Sequence, residues 1–173
     1  TTGTAIAKVF HLTVATTGKS EKQIKQKVER VYLNPYSHAT YYPDAFMMTL
    51  KLVFDPQDGR ILGAQIVGGE GVDKRIDVIS AMIQNKKTIY DLAELELAYA
   101  PPYSGAKDPV NLAGMIAINK LEGKNPSICW NETKENALYL DVRTEVEYKI
   151  GHIENAVNIP LDELRDRCNE LPK

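Results

Sequence analysis

Cysteine is scarce in this sequence, with only Cys129 and Cys168 among 173 residues. Two are too few for a disulfide scaffold and too isolated for a zinc site. His11, His38 and His152 are just as scattered, with no H-x-x-x-H pair or carboxylate cluster joining them, so no metal centre is expected. No apolar run approaches the roughly 18–20 residues of a membrane span. The N-terminal TTGTAIAKVFHL lacks the basic-then-apolar-then-small order of an export signal. Net charge is small as well, 21 basic against 23 acidic residues, and favours neither nucleic acid nor an anionic membrane. G-x-G-x-x-G and G-x-x-x-x-G-K-[ST] are both missing, so there is no nucleotide-binding fingerprint. These absences leave the expectation of a soluble, cytoplasmic protein with an ordinary globular balance, 43% hydrophobic and 25% charged.

The charge that is present is unevenly spread. Residues 1–124 carry 15 basic and 13 acidic side chains, whereas residues 125–173 carry 6 and 10. The break falls at Gly123-Lys124-Asn125-Pro126, which reads as a helix stop and a linker. The expected organisation is a first domain over 1–124, able to bury a core, and a second segment over 125–173 that is short for an independent fold.

Periodicity gives the elements of the first domain. Phe10, Leu12 and Val14 alternate as in a half-buried strand. Ser20 with Gln23 resembles a capping box, and Ile24, Val28 and Val31 follow at helical spacing. Two apolar runs, 46–54 and 60–67, flank Asp55-Pro56-Gln57-Asp58-Gly59 and predict a hairpin. Val72, Ile76, Ile79 and Ile83 predict a helix, and Thr88 to Leu97 a shorter one. Asp108 as N-cap, Pro109 at the first turn and Gly123 past the end mark a last helix. The expected class is α+β, a mainly antiparallel sheet whose strands pair locally as a meander, with helices on one side.

Candidate chemistry is sparse. Gly68-Gly69-Glu70-Gly71 lies between a strand and a helix, but its spacing favours a plain turn over a phosphate cradle. Cys129, in Ile128-Cys129-Trp130, reads as a buried structural thiol, and Cys168 sits in a polar run. Tyrosine is more informative. Six of nine lie in two proline-punctuated segments: Tyr32, Tyr36, Tyr41 and Tyr42 in one, Tyr99 and Tyr103 in the other. Such loops present rigid phenols, suited to a subunit contact or to a site needing neutral hydrogen-bond donors.

Four strings carry a family resemblance: Ser37-His38-Ala39-Thr40-Tyr41-Tyr42-Pro43, Gly71-Val72-Asp73-Lys74-Arg75-Ile76-Asp77, Tyr99-Ala100-Pro101-Pro102-Tyr103-Ser104 and Lys107-Asp108-Pro109-Val110-Asn111. Together, over about residues 3–122, they resemble the C-terminal dimerisation domain of coenzyme A disulfide reductases. Those enzymes belong to the flavin- and pyridine-nucleotide-dependent disulfide oxidoreductases. The tail resembles the first half of a rhodanese domain, through Leu140-Asp141-Val142-Arg143, Glu147-Tyr148, Gly151-His152-Ile153, Ala156-Val157-Asn158-Ile159-Pro160-Leu161 and Glu163-Leu164-Arg165. In that family the Asp-Val-Arg follows a buried strand.

The resemblance implies a longer parent protein. Its FAD and NAD(P)H domains and redox cysteine would precede Thr1, and the rhodanese persulfide cysteine would follow Lys173, Cys168 coming too early for that role. It further implies a homodimer acting on coenzyme A disulfide or a persulfide or polysulfide, with no cofactor bound by these residues and no activity from them alone. Tyr41 and Tyr99 would reach the partner subunit's cysteine, in place of the His-Glu pair of glutathione-reductase-like members. Tyr103 and Tyr42 are lesser candidates for substrate contact, and Lys74 and Arg75 would meet coenzyme A phosphates. A related NADH oxidase or peroxidase, or a dimerisation module without catalysis, stays open beside this reading.

Overall fold

The two β-rich runs around Asp55-Pro56-Gln57-Asp58-Gly59 form a hairpin, and the turn's own side chains close it. Asp55 accepts from the Gln57 N–H at 2.9 Å, and Asp58 accepts from the Arg60 N–H at 2.9 Å. The strands are β4 (Thr49–Phe54) and β5 (Ile61–Gly68), antiparallel, with Leu50 opposite Ile66 and Leu52 opposite Ala64. The computed structural model describes residues 2–129, 132, 134 and 137–171. By contacts the chain divides into two compact units, Thr1–Ser127 and Ile128–Lys173, a few residues beyond the charge break.

In the first unit β4 and β5 sit inside a five-stranded antiparallel sheet of order β1-β2-β5-β4-β3. The outer strands are β1 (Ala5–Val9), β2 (Leu12–Gly18) and β3 (Glu29–Leu33). The class is α+β, as expected, but the order is not a simple meander, because β2 pairs with β5 and sends β3 to the far edge. Two local expectations fail. Phe10 does not continue a strand into Val14; Phe10 and His11 form the β1–β2 turn, with Phe10 at φ +54°. The alternation along β2 is real but points the other way. Ala15 and Thr17 are buried under the helices, while Leu12 and Val14 stay on the open face.

The helix expected after Ser20 is a single 3-10 turn, Glu21–Gln23, closed by the Ser20 N–H donating to the Gln23 side chain at 2.9 Å. Val31 fits the helical spacing, but with Leu33 it also shares a face at strand spacing. Pairing with β4, Val31 opposite Leu52, buries both, and tertiary pairing overrides the local pattern.

Helix α1 (Val72–Gln84) and helix α3 (Pro109–Leu121) cover the other sheet face. Leu50, Leu52, Phe54 and Ile66 from the sheet meet Ile76, Ile79, Val110, Ala113 and Ala117 from the helices in one core. Each large apolar side chain so buried contributes about 1.5–3 kcal/mol. Helix α2 (Ile89–Ala93) begins at a capping box in which the Thr88 hydroxyl and N–H donate to Asp91. Those bonds and Lys87 hold the Asp91 carboxyl down to about 2. At its other end the Asn111 amide donates to the carbonyls of Leu92, Ala93 and Leu95, so α3 closes α2.

The second unit is a small parallel pair, β6 (Leu140–Asp141) and β7 (Val157–Asn158), with helix α4 (Glu145–Ile150) between them and a short α5 (Leu164–Arg167) after. Arg143 pairs with Asp141 at 2.6 Å and donates to the Gly151 carbonyl at 2.7 Å. Asn158 donates to the carbonyls of Asp141 and Arg143, and Tyr148 donates to the Ala156 carbonyl. Ile159 is the buried centre. Leu140 and Asp141 are half-buried, so this strand is less enclosed than the resemblance implies. Cys129 is half-buried rather than enclosed, its neighbour Trp130 lies outside the described residues, and Cys168 is exposed.

The packing of α3 on α2 suggests a test. A Cβ on Gly114 would stand 2.6 Å from the Ala93 nitrogen and 2.8 Å from the Ile89 oxygen. Helix propensity alone says that Gly114→Ala stabilises by about 1 kcal/mol. The packing says that it destabilises by about 1–3 kcal/mol, because α2 must move off α3. Urea unfolding of the two chains decides, and a higher midpoint for the alanine variant contradicts this packing.

Candidate functional site

Two irregular loops, rich in Tyr and Pro, converge beside the N-terminus of α1. The first spans Tyr36 to Met47. Its base is closed by the Ser37 N–H donating to the Phe46 carbonyl at 2.7 Å and the Phe46 N–H donating to Ser37 Oγ at 3.1 Å. Its interior is pinned by His38, which is buried. Nε2–H donates to the Pro43 carbonyl at 2.9 Å, while Nδ1 accepts from the Ser37 hydroxyl at 3.0 Å. That leaves Tyr41 at the outside of the bend and the Tyr42 ring edge-on to His38. The second loop, Tyr99 to Ser104, turns at Pro101-Pro102, where the N–H groups of Tyr103 and Ser104 both donate to the Ala100 carbonyl.

Arg75 joins the loops from beneath. It lies on the inner stripe of α1 beside Val72 and Ile76 and is only 1% exposed. Nη2 donates to the Ser37 carbonyl at 2.8 Å, to the Tyr103 carbonyl at 3.3 Å and to Asp108 Oδ2 at 3.0 Å. Nε donates to Asp108 Oδ1 at 3.3 Å, and Nη1 to the Gly71 carbonyl at 3.1 Å. Asp108 itself is 3% exposed, caps α3 through the Val110 N–H at 3.0 Å and accepts from the Ser104 hydroxyl at 2.8 Å. Burial alone would push its carboxyl up. The Val110 N–H, Arg75 and Ser104 outweigh that and hold it below the usual carboxylate range.

Of the residues singled out by resemblance, Tyr41 and Tyr99 are brought together, their phenol oxygens sharing a hydrogen bond at 3.2 Å. They lie 58 residues apart in sequence and remain 75% and 51% exposed. Their hydrogen bond is the main reason that the Tyr41 phenol ionises above its ordinary value. Tyr99 and the exposed Tyr103 line a cavity of about 480 Å³ with His38, Glu70 and Lys74. Lys74 keeps its ammonium at that rim, 3.7 Å from Asp108. Arg75 differs from the expectation of a phosphate ligand, because it is a buried counter-ion committed to one carboxylate and three carbonyls.

The anchoring residues Ser37, His38, Ser104 and Asp108 were not expected as site residues. One signal pointed to them: Arg75 falls inside the apolar stripe Val72, Ile76, Ile79, where a cation needs a buried partner. The Gly71 carbonyl at the Gly-rich turn is taken by Arg75, and a side chain at Gly71 would run into that guanidinium. Among the described residues no cluster could hold a metal ion, and no helix is long and apolar enough to cross a membrane.

Comparison with known proteins settles the family. Residues 4–109 match the model of the pyridine nucleotide-disulphide oxidoreductase dimerisation domain. The chain belongs to that family. Residues 126–173 of the same chain match the rhodanese-like domain. The dimerisation domain is 42% identical to coenzyme A disulfide reductase of Staphylococcus aureus over 116 residues, 66% of this chain and 26% of that protein. Among solved structures, reduced Bacillus anthracis CoADR-RHD is 51% identical at a TM-score of 0.95, covering 99% of this chain and 32% of that one. A NAD-dependent persulfide reductase from A. fulgidus is 44% identical at a TM-score of 0.90, covering 98% and 31%. The chain thus spans about a quarter of the curated relatives it matches and about a third of those solved chains.

The phenol pair of the dimerisation domain can be checked directly. Tyr99→Phe removes the bond that holds the Tyr41 proton, so Tyr41 should ionise at a lower pH, followed by NMR of ring-labelled tyrosine. An unmoved Tyr41 titration contradicts the contact.

Proposed function

We propose that this chain is the dimerisation module of a flavin-dependent NAD(P)H:coenzyme A disulfide or persulfide reductase that carries a rhodanese segment behind it. In that protein Tyr41 and Tyr99 act across a homodimer, at the partner subunit's redox cysteine. The observation that carries this reading is the phenol pair, two hydroxyls 3.2 Å apart on rigid, exposed loops. FAD and NAD(P)H belong to other domains of such a protein, because these residues hold no fingerprint for either.

The phenols suit one step. When a cysteine thiolate attacks a disulfide sulfur, the old S–S bond breaks, a mixed disulfide forms and a second thiolate departs. A phenol with pKa about 10 can donate a hydrogen bond to that leaving thiolate, or give it a proton, without adding net charge to the site. The Tyr41–Tyr99 bond holds the two hydroxyls side by side for this purpose. Coenzyme A would bring its phosphates toward Lys74, whose ammonium sits at the cavity rim with Tyr99 and Tyr103, and Tyr42 supports the loop from behind. Val9, Leu12, Val14 and Val67 leave an apolar strip on the open sheet face, which a second copy would cover. A cytoplasmic setting fits this thiol chemistry, which needs a reducing pool.

The test joins this chain to flavin- and nicotinamide-binding domains and measures NAD(P)H-dependent reduction of coenzyme A disulfide. Tyr41→Phe with Tyr99→Phe should lower turnover by about 10²-fold. Mixed dimers of that subunit with one lacking the redox cysteine should regain one working site, since each supplies what the other lacks. Full activity in the double variant, or no recovery in the mixed dimer, overturns the proposed role.

A further inference from the structure

The Tyr41 and Tyr99 loops have no backbone hydrogen bond to each other among the described residues, yet their hydroxyls meet at 3.2 Å. What they share is one guanidinium. Arg75 Nη2 takes the carbonyl of Ser37, four residues before Tyr41, and the carbonyl of Tyr103, four residues after Tyr99. From each carbonyl a short rigid path leads to the phenol. On one side the Ser37–His38–Pro43 hydrogen bonds lock the bend that carries Tyr41. On the other the Tyr103 N–H donates back to the Ala100 carbonyl at 2.9 Å and fixes the turn next to Tyr99.

Asp108 completes the device. It holds the guanidinium plane through both oxygens and binds the Ser104 hydroxyl, while its backbone is set by the first turn of α3. The loops are thus referenced to α1 and α3, the two helices that anchor the core, and not to each other.

We propose that Arg75 is the positioning residue of the phenol pair: it sets the Tyr41–Tyr99 separation by tying both loops to one buried guanidinium that Asp108 orients. The proposal rests on the reading of that pair as the working group. It does not require Arg75 to touch substrate: the guanidinium borders the cavity, but its donors are committed to Asp108 and to three carbonyls. A planar fork is needed, because one group must serve a carboxylate and carbonyls from three segments at once. A lysine ammonium has three donors without that fixed geometry.

Simple removal of Arg75 would leave Asp108 buried without its main counter-ion, and the chain could unfold. The charge-neutral pair Arg75→Met with Asp108→Asn avoids this, since asparagine is as good an N-cap as aspartate. The conservative Arg75→Lys provides a second variant. In each, folding is followed by near-UV circular dichroism, and Tyr41 ionisation by NMR of ring-labelled tyrosine, with and without Tyr99→Phe.

The expected result is a folded chain in which Tyr41 returns to the ordinary tyrosine range and Tyr99→Phe no longer moves it. The lysine variant should lie between this and the unsubstituted chain. If either folded variant keeps the full Tyr99-dependent shift of Tyr41, Arg75 is only a structural ion pair and the proposal fails. These readouts need no catalysis, so a failure of the phenols in disulfide reduction would show in the activity assay and leave this result standing.

Discussion

A guanidinium and a carboxylate, 1% and 3% exposed, lie 3.0 Å apart beneath two loops that have little regular structure of their own. Stripping both ions of water costs several kcal/mol each, and their attraction repays that only if the remaining donors and acceptors are filled. Here they are filled by Ser37, Gly71 and Tyr103 carbonyls on one side and by Ser104 and Val110 on the other. The pair is therefore affordable only in the conformation that brings both tyrosine loops in. Burial of charge, a poor general source of stability, acts in this domain as a specification of loop geometry.

The fold was legible where local and global signals agree. The Asp-Pro-Gln-Asp-Gly turn, the α1 stripe and the Asp108-Pro109 start of α3 each carry their own punctuation, and all three elements form. Ile24, Val28 and Val31 suit a helix by local spacing, while β3 exists only through its pairing with β4, a partner some twenty residues away. Likewise no periodicity within residues 5–18 says that β2 pairs with β5, or which face of β2 turns inward.

The site was legible in a different sense. Composition showed tyrosines gathered in two proline-bound loops, and the resemblance selected Tyr41 and Tyr99 among them, but neither could place two hydroxyls 3.2 Å apart across 58 residues. The supports were hidden for a physical reason. Ser37, Ser104 and Asp108 act through hydrogen bonds set by tertiary position, and the resemblance cast Arg75 as a phosphate ligand although it is buried. In the second unit the Asp-Val-Arg, Gly-His-Ile and Asn-Ile-Pro strings do meet, because Arg143 and Asn158 bond to the backbones that the other strings supply.

The central claim is that one buried ion pair holds both loops. Amide hydrogen exchange in the Arg75→Met, Asp108→Asn chain tests it most directly. The account predicts that the amides of Ser37, Tyr42 and Phe46 and those of Tyr103 and Ser104 lose protection together, while those of β4 and β5 keep theirs. Loss confined to one loop, or no loss in either, would contradict it.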